Sequence, residues 1–239
     1  MRQFLTTIGL LTIIPVKTYQ TEDLARSMVF FPLVGLLIGG FLVGVRFFSL
    51  QLFPPDLVSV LVIAAWVAIT GCLHLDGFCD TIDGLAGGRS KEEIFRIIEE
   101  SAVGCKGVVA VVCLLLIKTF ALSANTSSGL LIAPTMGRWA MVAGAATSSY
   151  PKSSGLGRLF VGQVKRREFL WATLIMMGIG FSLFGLSFFY LLATTSGITW
   201  LFSLYLKKRV GGFTGDTLGA LSEVIEVATL LSIVPLSKR

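Results

Sequence analysis

Apolar runs of about 17–25 residues recur along the whole chain, the length a helix needs to cross a hydrocarbon core of about 30 Å. In lipid, every backbone N–H and C=O must find its partner within the protein, so runs of this kind fold as helices. The candidate spans are Val29–Ser49, Leu57–Leu75, Val103–Ala124, Gly129–Thr147, Glu168–Phe184, Leu186–Leu206 and Thr217–Pro235. The stretch from Glu168 to Leu206 is too long for one helix and divides at Gly185 into a hairpin. Only 14% of the 239 residues are charged, where a soluble domain carries about 25%. No water-exposed stretch is long enough for a second domain. The fold class expected is all-α and polytopic, about six or seven transmembrane helices in one transmembrane domain over residues 1–239. The first apolar run, Phe4–Val16, is short and ends near Pro15. It lacks a small-residue cleavage site before a polar start, so it reads as an interfacial or re-entrant segment that stays on the protein.

The basic residues orient the helices. The loops Leu50–Asp56 and Asn125–Ser128 and the turn at Gly185 hold no Lys or Arg. The alternate loops hold Arg89, Lys91 and Arg96, then Lys152, Arg158, Lys165, Arg166 and Arg167, then Lys207, Lys208 and Arg209, and Lys17 and Arg26 precede the first span. Basic loops mark the cytoplasmic side, so the expected setting is a cytoplasmic (inner) membrane with these loops inside. Lys238 and Arg239 fit that rule only if the last segment does not cross fully. The same reading accounts for the net charge of +6 without nucleic acid, since no basic surface alternates with aromatics. Cys72, Cys79, Cys105 and Cys113 lack CxxC spacing, and with one histidine a zinc site is not expected.

The run HLDGFCDTIDGLAGGR, His74–Arg89, concentrates the chemistry. Asp76, Asp80 and Asp83 stand at i, i+4 and i+7, one face of a helix, immediately after an apolar span. Like charges this close repel, and carboxylates at a membrane border are costly to desolvate. A cation relieves both costs. All-oxygen donors favour Mg²⁺, which keeps positions open for water or phosphate. His74 could act as a base, orient a carboxylate, or donate in helix packing. Ser90 is placed to cap a short amphipathic helix to Glu99, whose Ile94, Phe95, Ile97 and Ile98 could lie on the membrane surface.

A second polar cluster, GGFTGDTLGALSEVIE, spans Gly211–Glu226. Thr214 or Asp216 could cap the helix that follows, and a glycine-rich turn at a helix start suits an anion. Asp216, Glu223 and Glu226 fall within about 80° of one face of that helix. Acids inside a span either serve function or pair with in-membrane bases, of which Lys118, Arg138 and Arg46 are on hand. Carboxylates from two segments, near Asp80 and at Asp216, could clamp one or two ions for an in-line phosphoryl displacement. Glu100, Ser101 and Lys106, the Gly155–Gly157 loop with Arg158 and Lys165, and Arg138 in MGRW are further candidates for holding substrate.

With these residues in view, the chain resembles the cobalamin synthase (adenosylcobinamide-GDP ribazoletransferase) family. The matching motifs are FPLVGLLIGG at Phe31–Gly40, HLDGFCDTIDG at His74–Gly84, ESxxGxxG at Glu100–Gly107 and GDTLGA at Gly215–Ala220, in order over nearly the whole chain. The resemblance implies an integral cytoplasmic-membrane enzyme that joins adenosylcobinamide-GDP to α-ribazole or its 5′-phosphate with Mg²⁺ and releases GMP. It implies Asp76, Asp80, Asp83 and Asp216 at metal and diphosphate, with His74 and the stripe acids catalytic. It implies Arg89, Glu100, Ser101, Lys106, Arg138, Gly215, Thr217 and Glu223 about the substrates. A homo-oligomer is compatible with this build. At Glu100-Ser101-Ala102 the chain departs from the family's DS followed by a basic residue or His, which puts a contact at 102 in doubt.

Two alternatives stand beside it. CDP-alcohol phosphotransferases share the opening Asp80-x2-Asp83-Gly84, but here Gly87 and Gly88 fill the Ala-Arg positions and the second acid pair is absent. A cation transporter would line a path with acids near the bilayer midplane.

Overall fold

The computed structural model describes residues 2–16, 24–100 and 102–236. Ser101, Lys17, Lys238 and Arg239 lie outside them. The described residues form helices α1 (Arg2–Leu11), α2 (Leu24–Ser27), α3 (Phe31–Ser49), α4 (Pro55–Ile69), α5 (Leu73–Gly87), α6 (Lys91–Glu99), α7 (Cys105–Ser123), α8 (Ser127–Thr147), α9 (Arg166–Phe184), α10 (Phe188–Arg209) and α11 (Gly215–Ile233). Three stretches are long and apolar enough to cross a membrane: Leu24–Ser49, Cys105–Ser123 and Arg166–Arg209. A fourth counts if α4 and α5, bent by 89°, form one broken span. The all-helical membrane character expected from the sequence is therefore met, with three or four spans by length and apolarity.

The bend divides the expected span Leu57–Leu75. Gly71 and Cys72 both take φ of 60°, a left-handed conformation that stops a helix. The Ile13 N–H donates to the Ile69 carbonyl at 2.9 Å, so the chain after α1 braces the break. Gly185 (φ 54°) marks the second sharp turn. There the Phe188 ring comes back over Gly180, and the arms part: α9 packs on α8 and α3, α10 on α11 and α8.

Helix α8 is the centre, buried along nearly its whole length between α3 and α11. The α3 side of that contact explains the glycines of FPLVGLLIGG. A Cβ on Gly35 would come within 2.5 Å of the Pro134 carbonyl oxygen, and one on Gly39 within 2.5 Å of the Leu130 carbonyl oxygen. These two, four residues apart, let the backbones touch, the way small residues associate helices in lipid. Gly39→Ala should therefore lower thermal stability in detergent by about 1–3 kcal/mol through overpacking. Gly40→Ala, one residue on, faces open space and should leave it unchanged. Equal melting of the two variants would refute the seam.

Helix α5 runs antiparallel along α11, with Gly77 against the Asp216 backbone and Gly219 against His74. Ser90 caps α6, its hydroxyl accepting from the Glu93 N–H at 3.2 Å. In return the Glu93 carboxylate accepts from the Arg89 N–H at 2.8 Å, which holds it below the usual range. The expectation that α6 rests its apolar face on the membrane surface is corrected for two residues. Ile94 and Ile98 are buried in notches that Gly84 and Gly88 leave on α5.

Candidate functional site

The acidic stripe forms along α5, with Asp76 exposed and Asp80 and Asp83 half-buried. Asp80 lies within electrostatic reach of Asp76, Asp216 and Asp83, so the two sequence clusters do meet. The contact that brings them together is the Gly77–Asp216 backbone approach: any side chain at 77 would collide with Asp216. Among the described residues no Lys or Arg stands within 4.0 Å of Asp76, Asp80 or Asp216. Hard oxygen donors without a basic partner fit a hard divalent cation such as Mg²⁺ by chemistry. Among the described residues, no group of three or more His, Cys, Asp or Glu is drawn together at ligand distance.

Asp83 differs from its neighbours. Its Oδ2 accepts from the Gly104 N–H and its Oδ1 from the Gly107 N–H, both at 2.8 Å. It thus caps the start of α7, whose first N–H groups have no partner within their own helix. A Cβ at Gly104 or Gly107 would strike that carboxylate, which explains both glycines of ESxxGxxG. Lys106 donates to the Ala86 carbonyl at 2.7 Å, and Arg209 to the Leu85 and Gly88 carbonyls at 3.2 and 3.1 Å. Two cations therefore sit on the C-terminal carbonyls of α5, the negative end of its dipole.

Beneath the mouth lies a closed ionic floor. Lys118 donates to Glu223 and Glu226 at 2.5 Å each, and Arg138 pairs with Glu226. All four are buried, and two positive charges meet two negative ones. Lys118 also stands 4.5 Å over the Trp66 ring. Arg138 and Glu223, expected about the substrates, are both buried in this network, and the in-membrane pairing weighed for Glu226 is realised. Arg138 Nη2 lies 3.2 Å from His74 Nδ1.

The other expected substrate residues divide. Gly215 is exposed and lines a cavity. Thr217 is buried in a capping box with Thr214 and holds the start of α11. Glu100 pairs with Arg96 at 2.7 Å on the surface, and Arg89 is exposed before α6. Ser101 lies outside the described residues. The cavity, ≈ 350 Å³, opens between α1, α5, α8, α11 and the loop after α8. His74, Asp216, Gly155 and Gly157 line it, together with Tyr150, Lys152 and Glu99. Lys152 bonds Glu99 at 2.9 Å and sits 4.9 Å over the Phe95 ring. Burial, then Asp216 and Glu99, push the Tyr150 phenol up, keeping it protonated. Tyr150 and Glu99 carried no sequence signal for this site, because the fold alone brings them beside α11.

Apolar helices outside, a sealed ionic floor within and carboxylates gathered at one mouth make this an integral membrane protein built around a polar site. The sequence comparisons narrow that class. The cobalamin-5-phosphate synthase (CobS) family model matches residues 3–234, and the chain belongs to that family, which makes it a transferase of cobalamin synthesis. An adenosylcobinamide-GDP ribazoletransferase of Acetivibrio thermocellus is 35% identical over 239 residues, covering 97% of this chain and 96% of its own. The protein of the same name from Alkaliphilus metalliredigens is 37% identical over 242 residues (98% and 95%), and that of Geotalea daltonii 34% over 245 (100% and 99%). No solved structure matches at a significant level.

Proposed function

We infer that the chain transfers the adenosylcobinamide phosphate moiety from adenosylcobinamide-GDP to α-ribazole or α-ribazole 5′-phosphate, releasing GMP. The observation that carries this reading is the meeting of Asp76, Asp80 and Asp216 at one open mouth, without basic partners among the described residues, beside a nucleoside-sized cavity. A ribose hydroxyl attacks the phosphorus nearer the cobinamide. The new bond is ribose oxygen to phosphorus. The bond that breaks joins that phosphorus to the bridging oxygen, which leaves with its electron pair on GMP. The hydroxyl proton passes to a stripe carboxylate. Asp76, Asp80 and Asp216 would hold Mg²⁺, which when bound neutralises diphosphate charge. Asp83, with both oxygens engaged, fixes the helix that carries Asp76 and Asp80.

The whole chain acts as one catalytic unit, crossing the cytoplasmic (inner) membrane about six or seven times with the mouth inward. Supporting that orientation, the loops bearing Arg89, Lys91, Lys152 and Arg209 gather at the end of the bundle where the acids open. Against cation transport, Glu223 and Glu226 are neutralised by buried ion pairs with Lys118 and Arg138. Purified protein in detergent, given adenosylcobinamide-GDP, α-ribazole phosphate and Mg²⁺, should release GMP, and EDTA should stop it by at least about 100-fold. No release from folded protein would defeat the assignment. CDP-alcohol substrates and ion flux in vesicles would then be tried.

A further inference from the structure

The ≈ 350 Å³ cavity sits at the small end of the range for ligand sites, about 300–1,000 Å³. It has room for a nucleoside-sized ligand. Its inner wall is apolar, with Leu11, Phe31, Met141 and Phe160, and its mouth is polar, with Asp216 and Lys152. Asp216 is shared between this cavity and the acidic mouth.

One residue of that lining carries an unsatisfied polar atom. His74 lines the cavity and is only 1% exposed, and its Nε2 is buried without a hydrogen-bond partner. Its Cδ2 edge lies toward Gly219, another lining residue. The other ring nitrogen decides the tautomer. Arg138 faces Nδ1 at 3.2 Å, and a guanidinium can only donate, so Nδ1 accepts and the ring proton is on Nε2. A buried donor left unmade is costly, and a ligand acceptor removes that cost. His74 is therefore held as a hydrogen-bond donor by the same Arg138 that closes the ionic floor. In this state its Nε2 has no lone pair with which to act as a base.

We propose that this cavity is the acceptor-nucleoside subsite, where His74 Nε2–H donates to the free ring nitrogen of the flat heteroaromatic base. The apolar wall takes the faces and edges of the base. The ribose then lies toward Asp216, which puts its hydroxyls at the carboxylates. The proposal rests on the transfer reaction inferred above, and it adds which substrate the cavity takes and by which atom.

The test is equilibrium binding to purified protein in nanodiscs, using α-ribazole and the isosteric riboside of 5,6-dimethylindole, in which C–H replaces the acceptor nitrogen. Wild type should bind α-ribazole about 10-fold more tightly than the indole riboside. His74→Asn keeps an acceptor for Arg138 and removes the Nε2 donor. It should bind α-ribazole about 10-fold more weakly and the indole riboside unchanged, with KM for adenosylcobinamide-GDP within about 2-fold of wild type. The wild-type comparison needs no variant to fold. Equal binding of the two ribosides by wild type, with GMP release intact, would overturn the subsite and leave the reaction standing. Discrimination between the ribosides without any GMP release would overturn the reaction and leave the subsite standing.

Discussion

Asp80→Asn should cut GMP release by about 100-fold or more while the protein melts no earlier than wild type. Asp80 is half-buried, has no basic partner within 4.0 Å among the described residues, and lies near three other carboxylates. Neutralising it removes repulsion in the folded state, so stability holds or rises. What is lost is a charge directed at cation and diphosphate. Asp83→Asn should behave in the opposite way. It leaves an amide N–H₂ facing one of two backbone N–H groups, at Gly104 or Gly107, that now point at a carboxylate. Hydrogen bonds to a charged group contribute about 1.5–3 kcal/mol each, so this variant should lose roughly that much stability. GMP release and thermal unfolding, measured on both variants in one detergent, separate the roles. An Asp80→Asn protein that keeps its activity, or that unfolds as early as Asp83→Asn, would show that the stripe acids serve packing alone.

The contrast between these two aspartates marks what a sequence can and cannot carry. Helical spacing put Asp76, Asp80 and Asp83 on one face, because that depends only on residues within two turns. It could not distinguish Asp83, whose partners come 21 and 24 residues later, after α6 has turned the chain back. Caps are local, so Ser90 was legible where it stands, and the cap of α11 was narrowed to Thr214 or Asp216, of which Thr214 is the one used. The break at Gly71 and Cys72 was not, because apolar composition runs through it and a left-handed Cys leaves no mark in hydropathy. Gly35 and Gly39 could be read as a motif, but their reason is the α8 backbone, about 95 residues away in the chain. Arg209 read as an ordinary loop cation, yet it reaches the end of α5, 121 to 124 residues back. The buried acids were legible in kind, since charges inside a span need partners. Which base each would take was settled only by the packing of α7, α8 and α11.

Lys118→Met should destabilise the protein by about 3–5 kcal/mol, and the double variant Lys118→Met/Glu223→Gln should recover most of that loss. The argument is one of charge balance. Lys118 and Arg138 face Glu223 and Glu226, all buried, so the intact floor is neutral. Removing Lys118 alone leaves two carboxylates to one guanidinium, and the uncompensated charge is Glu223, whose ion-pair partner is Lys118. Removing Glu223 as well restores neutrality, with Arg138 still on Glu226. Methionine keeps the apolar stem against Trp66, so what remains lost is the cation–ring contact. Thermal unfolding and folded yield in detergent read the difference. A double variant as unstable as the single would mean that Lys118 stabilises through packing, not charge. Activity adds a second reading. The double variant keeps Arg138, and Arg138 fixes the His74 tautomer, so affinity for α-ribazole should return along with stability. Recovery of the fold without recovery of that affinity would show that the floor sets the His74 donor through the whole network rather than through Arg138 alone.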